Sequence, residues 1–151
     1  PPKEDRASVS EEGDNVVLEN GEIRAVVSSD GKIAFKNQAG EVLFEELWKN
    51  ERDIDARVIR GHVGGSSHIE LHLQQYAGEH FYGLGQEAHD LFDLKGATLD
   101  LCQQNTKSTI PFVMSSRGYG FIWNNPAIGR VEFGTSGTRW VADSASRWII
   151  L

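Results

Sequence analysis

His68, Glu70 and His72 alternate along one stretch, so on a β-strand they would share a face and offer two imidazoles and a carboxylate of the kind that ligate a metal. No further ligand follows at a recognisable spacing, and the same alternation describes the solvated side of an amphipathic strand, which is the expected reading. The run Gly83-Leu84-Gly85-Gln86-Glu87-Ala88 matches the dinucleotide-binding pattern G-x-G-x-x-A in letters. That pattern works only after a buried parallel strand and before a long helix, whereas Lys95-Gly96 breaks any helix within about ten residues. The glycines are therefore expected to supply unusual backbone angles in a loop. His62, His80 and His89 form no tighter group. No G-x-S-x-G elbow is present, and Cys102, inside an apolar segment, is expected to be packed rather than nucleophilic. Neither a metal nor a cofactor is expected.

Cleavage of a glycosidic bond would need two carboxylic groups about 5 to 9.5 Å apart. Spacing pairs none of the acids here. Glu11, Glu12, Asp14, Glu45 and Glu46 fall in expected turns or at strand ends, where solvation is the ordinary fate of a carboxylate. The densest chemistry lies between Phe81 and Trp140, where aromatic rings, amides and glycines mingle. Flat rings against C–H faces and amides against hydroxyls suit sugar binding, which draws attention to Gln104, Tyr119, Trp123, Asn124 and Asn125. Rings on such strands equally serve to fill a core.

These residues need a frame, and the punctuation of the sequence is that of β-structure. Asn20-Gly21, Asp30-Gly31 and Ala39-Gly40 separate short apolar segments at 16–19, 22–27, 32–36 and 41–46, which predicts a four-stranded meander. Further strands are expected at 55–60, 67–75, 80–83, 97–103, 110–115, 119–124, 130–134 and 138–142, with one helical turn near 87–92. Roughly a dozen strands at turn spacings of about 8 to 12 residues predict an antiparallel sandwich or barrel, since a single sheet of that size would curl or split. The 151 residues suffice for one domain with a core. A net charge of −7 with scattered Lys and Arg excludes a nucleic-acid footprint, and no apolar run is long enough to span a bilayer. A single cysteine and no Asn-x-Ser/Thr sequon lean toward a reducing, cytoplasmic setting; Pro1-Pro2-Lys3-Glu4-Asp5 has no apolar signal core, and secretion of the parent protein stays open.

Two ordered motifs narrow the reading. Phe81-Tyr82-Gly83-Leu84-Gly85-Gln86 resembles the F-Y-G-L-G-E signature of the N-terminal domain of glycoside hydrolase family 31, with Gln86 in place of the Glu. Ile110-Pro111-Phe112 followed by Ser115-Ser116-Arg117-Gly118-Tyr119-Gly120 is similar to the next landmark of that family, and Trp123-Asn124-Asn125-Pro126-Ala127 continues it, in the manner of its α-xylosidase-like and α-glucosidase-like branches. The specific part of the resemblance lies in 79–134, while 16–46 matches in style.

The resemblance implies an all-β, antiparallel β-sandwich of the galactose-mutarotase-like (supersandwich) type. It implies that 1–151 is the N-terminal domain of a longer α-glycosidase, with both catalytic aspartates on a (β/α)8 barrel outside this sequence, so this chain would hold no catalytic residue. In the family a loop before I-P-F carries N-R-D and reaches over the barrel mouth. The matching segment is Gln103-Gln104-Asn105-Thr106-Lys107, which puts Asn105 at the Asp position and Gln104 at the Arg position, amides that can still bond sugar hydroxyls. The implied function is packing on that barrel and shaping the aglycone side of a pocket for α-linked glucosides or xylosides. An uncovered apolar patch is expected, and an open sheet edge would pair with a copy of the chain. A free-standing carbohydrate-binding module would instead show an exposed ring platform. An aldose mutarotase would place His80 or His89 about one sugar width from a carboxylate in a cleft.

Overall fold

The structure is a computed structural model in which residues 7–47, 55–86 and 90–145 are described. Among them are thirteen strands and no helix: β1 Ser8–Glu12, β2 Asn15–Asn20, β3 Ile23–Val27, β4 Ile33–Asn37, β5 Val42–Glu45, β6 Arg57–Gly61, β7 Ser67–Leu73, β8 Phe81–Gln86, β9 Thr98–Leu101, β10 Ser108–Ser115, β11 Tyr119–Ile122, β12 Gly129–Phe133 and β13 Thr138–Ala145. Every pairing is antiparallel. The order is β1-β2-β3-β4-β5 in the meander, β11-β10-β8 in a short sheet and β6-β7-β13-β12-β9 in a second five-stranded sheet. The predicted helical turn falls partly on residues outside the described set, and Leu91 and Phe92 are not helical.

The core lies between the last two sheets. The second five-stranded sheet turns Ile69, Leu71, Leu73, Val131, Phe133 and Trp140 inward, and the short sheet answers with Phe81, Leu84, Val113 and Phe121. Alternation along each strand is what sorts these from their polar neighbours. Phe81 stacks on Phe133 with centroids 4.7 Å apart, and Phe121 meets Trp140 at 5.1 Å.

The meander gains β1, which the apolar pattern of Ser8-Val9-Ser10-Glu11-Glu12 does not announce and whose side chains are all exposed. It forms because each residue from Ser8 to Glu12 pairs across to β2. The meander joins the body along one seam. Phe44 packs at 4.9 Å from Tyr119 and 5.7 Å from Phe121, while Leu47 N donates to His72 O and Gln74 N to Glu45 O. Glu45 and Glu46 are not solvated turn acids but parts of this seam. Glu46 is buried, pairs with Arg57 and accepts from Ile33 N at 2.8 Å; Arg57 also donates to Gly31 O at 2.8 Å. Glu45 accepts from the Tyr76 hydroxyl at 2.8 Å and pairs with Lys32 at 2.5 Å. Partial burial of Glu45 opposes its ionisation, but these two partners outweigh it and hold the carboxyl below its usual range.

Candidate functional site

Gln104 and Asn105 lie on a short hairpin turn that links β9 to β10, strands that belong to different sheets. Gln104 and Lys107 exchange backbone hydrogen bonds of 3.3 and 3.2 Å, so Asn105 and Thr106 form a tight two-residue tip. The base is stiffened by polar contacts. The Gln103 amide donates to Thr109 O at 2.7 Å and accepts from Thr109 N at 3.2 Å, and Thr109 Oγ1 donates to Cys102 O at 2.9 Å. Lys107 Nζ donates to Asp100 O at 2.5 Å. Asn105 is exposed, and its side chain makes no hydrogen bond among the described residues. Gln104 is also exposed, and its side-chain amide donates to the half-buried Cys102 sulfur at 3.4 Å. Beneath the tip runs a groove of about 380 Å³ lined by Cys102, Gln103, Thr109, Pro111, Asn125 and Ile128 among others. Its apolar members carry no chemical signal in sequence; only the folding of the 125–128 loop against β10 reveals them.

Of the remaining sugar-type candidates, Asn125 lines this groove and Tyr119, Trp123 and Asn124 do not. Trp123 is buried against Trp140, with centroids 6.0 Å apart and its indole N–H unpartnered among the described residues. Asn125 Oδ1 accepts from Ala127 N at 3.0 Å and shapes the loop, while Asn124 is exposed. Tyr119 sits opposite Ser115 at the far end of β10, about 24 Å from the turn at roughly 3.4 Å per residue. Its hydroxyl donates to Glu79 Oε1 at 2.7 Å, alongside Ser115 Oγ at 2.5 Å. Burial together with the adjacent Glu79 acceptor pushes the Tyr119 phenol well above its usual range.

His68, Glu70 and His72 do share one face, but Glu70 is buried rather than solvated. Arg139 donates to Glu70 Oε2 at 2.8 Å, and the two imidazoles flank the carboxylate at 2.8 and 3.1 Å. The Arg139 bond leads in lowering the Glu70 pKa to about 2, against a desolvation cost and with help from both histidines. Among the described residues no His, Cys, Asp and Glu side chains cluster in a way that could hold a metal ion. His80 Nδ1 lies 2.6 Å from Asp93 Oδ2, a direct contact on an exposed surface rather than one sugar width across a cleft. His89 lies outside the described residues.

The glycines of the nucleotide-like run sit inside strand β8, with φ of 125° at Gly83 and 84° at Gly85. A Cβ on Gly83 would stand 2.6 Å from Phe112 O; one on Gly85 would strike Ser108 O and lie 2.9 Å from Ile110 N. Leu84 between them is fully buried at φ 66°. The two sequence motifs are thus neighbours in space: β8 pairs with β10, and β10 with β11. The glycines of the first motif make room for the second, and Arg117 binds Val42 O at 2.5 Å and Leu43 O at 3.3 Å, which fastens the body to the meander.

Comparison with known proteins agrees with this architecture. The chain is 34% identical to the "Uncharacterized family 31 glucosidase ORF2" of Pseudescherichia vulneris, over 98% of this chain and 32% of that protein. It is 37% identical over 55% of its length to Alpha-xylosidase A of Aspergillus niger, where the match takes in 11% of the relative. The crystal structure of a GH31 alpha-xylosidase from a soil metagenome, complexed with xylose, superposes with a TM-score of 0.85 at 35% identity, covering 95% of this chain and 23% of that one. The chain therefore spans about a third or less of the length of these relatives. Residues 1–132 match the family described as the glycosyl hydrolase 31 N-terminal galactose mutarotase-like domain, and with the antiparallel sandwich and the interlocked motifs this places the chain in that family.

Proposed function

We propose that residues 1–151 act as the non-catalytic N-terminal domain of a longer α-glycosidase, docked on a (β/α)8 catalytic barrel of the same polypeptide. The observation that carries this reading is the outer face of the β8–β10–β11 sheet. Ile110, Met114, Ile122 and Phe92 are each more than half exposed, and Phe92 lies 5.1 Å from Tyr82. Phe112, paired with Ile122, lies between them. A continuous apolar face on a domain with a filled core is what an interdomain contact would cover. It runs along β10 to the base of the hairpin, so docking there would carry the Asn105 tip toward the barrel mouth. Asn105, with Gln104 beside it, would then meet the aglycone part of an α-linked glucoside or xyloside through amide hydrogen bonds.

The test is hydrolysis of 4-nitrophenyl α-glucoside and α-xyloside by the 151-residue chain and by the protein extended through its downstream coding region. Activity confined to the extended protein, lowered about 10-fold in kcat/KM by Asn105→Ala as expected for one lost sugar hydrogen bond, supports the reading. Turnover by the short chain overturns it. For a free-standing sugar-binding module, the two rings that the sequence offered give no platform, because Trp123 is buried and Tyr119 is packed under Phe44.

A further inference from the structure

The inner face of the meander is only half used. Phe35 and Phe44 stack at 4.4 Å where the face meets the body. Cross-strand register places Val9, Leu18 and Ala25 in the same row as Phe35 and Phe44, and Val16, Val27 and Ile33 in the row beside it. Val9, Val16, Leu18 and Ile23 remain 42 to 66% exposed. Among the described residues the opposing layer stops short of them, because it consists of β11, β10 and β8 and its near edge is β11. Beside that edge lie two hollows that share Ile23, Phe44 and Gly120 in their walls, one of about 310 Å³ and one of about 620 Å³.

The smaller hollow is apolar, with Ile33, Phe35, Leu71 and Phe121 in its walls. The larger has polar groups, but most are already engaged. Asn37 binds Glu41, Gln38 Nε2 donates to Gly21 O, Arg117 holds the β5 carbonyls and the Tyr119 hydroxyl serves Glu79. A sugar would find few free partners there. Among the described residues, what stands free is a strand edge facing an apolar sheet across a gap, and that combination fits one kind of occupant.

We infer that β11 and the inner face of the meander form a strand-accepting groove, filled by a β-strand from the same polypeptide outside residues 1–151. The strand would pair with β11 about 4.8 Å away, extend the short sheet, and turn alternate apolar side chains onto Ile23, Leu18 and Phe35. Supply from the same polypeptide is favoured by length, since this chain covers 32% of the glucosidase relative and 23% of the xylosidase structure. The inference rests on the longer-enzyme reading above but concerns a different surface, the opposite side of β11 from Ile122.

Two measurements test it. Hydrogen exchange of the β11 amides should be slowed at least 100-fold in the extended protein relative to the 151-residue chain, with β12 little changed. Ile23→Ser should leave the urea midpoint of the short chain unaltered and lower that of the extended protein. Equal β11 exchange in both proteins, or an equal effect of Ile23→Ser in both, overturns the groove. Protection that appears in the short chain only as its concentration rises would assign the strand to a second copy and overturn supply from the same polypeptide. An extended protein that protects β11 yet hydrolyses neither glycoside would sink the glycosidase reading alone; an active one with unprotected β11 would sink the groove alone.

Discussion

In strand β8 the glycines are dictated by the backbone lying against them, whereas in the meander they are dictated by turns alone. Gly83 and Gly85 combine positive φ with carbonyls where a side chain would go. Gly21, Gly31 and Gly40 also have positive φ, but an added Cβ would meet nothing within 4 Å. The polar contacts differ in the same way. The short sheet encloses Glu79, 1% exposed, under two hydroxyls of its own motif, while the meander seam uses half-buried pairs such as Glu45 with Lys32. A region packed against itself tolerates little change. A region hung from one seam by β5 tolerates more, which fits a family resemblance that is specific across the motifs and only stylistic across 16–46.

The largest expected difference is between two glycine substitutions. Gly85→Ala should cost about 3 kcal/mol or more, because strained φ and a backbone clash add. Gly31→Ala should cost only about 1–2 kcal/mol, the penalty of the left-handed conformation by itself. Urea denaturation of the two variants would measure both, and equal costs would break the comparison. A smaller contrast comes from two phenols. Tyr119→Phe strips one hydroxyl from a buried carboxylate whose Oε2 already lacks a partner among the described residues, so a loss of about 1–3 kcal/mol is expected. Tyr76→Phe removes a bond to the half-buried Glu45, which water can replace, and should cost about 0.5–1 kcal/mol in the same assay.

Acid should sharpen the picture for the body. Glu70 is ionised down to about pH 2 in the fold against a usual value of 4.5. A depressed carboxyl contributes stability that is complete above its unfolded pKa and is lost as pH falls through the folded one. Glu70→Gln should therefore flatten the decline of stability between pH 4.5 and 2. Unaltered slopes in urea titrations across that window would show that Arg139 does not hold the charge as its geometry indicates.

Much of this frame was legible in the residues. Alternation and Asn-Gly or Asp-Gly turns located the strands from β2 to β13, and the two motifs identified the family before their pairing was visible. The β1 strand was not legible, because its one apolar residue, Val9, gives no period and its pairing to β2 decides its conformation. Buried carboxylates were equally hidden. Glu79 finds Ser115 and Tyr119 at separations of 36 and 40 residues, and Glu70 finds Arg139 69 residues away, so nothing local marks them as anything but surface acids. At the candidate site the resemblance put Gln104 and Asn105 in a loop before Ile110, which the structure draws as a tight turn, but the groove below depends on the distant 125–128 loop.

The smallest effect expected is also the one that separates scaffold from function. Asn105 contributes no hydrogen bond to its own hairpin, so Asn105→Ala should change the urea midpoint of the 151-residue chain by less than about 0.5 kcal/mol in equivalent stability. Gln103, two residues earlier, closes the base with a donor and an acceptor to Thr109. Gln103→Ala should cost about 1–2 kcal/mol and speed amide exchange at Thr109. The hairpin is thus rigid at its base and uncommitted at its tip, the division expected where a scaffold presents a side chain to something outside itself. If Asn105→Ala proved as destabilising as Gln103→Ala, the tip would be structural, and its proposed place over a glycoside would lose its physical basis.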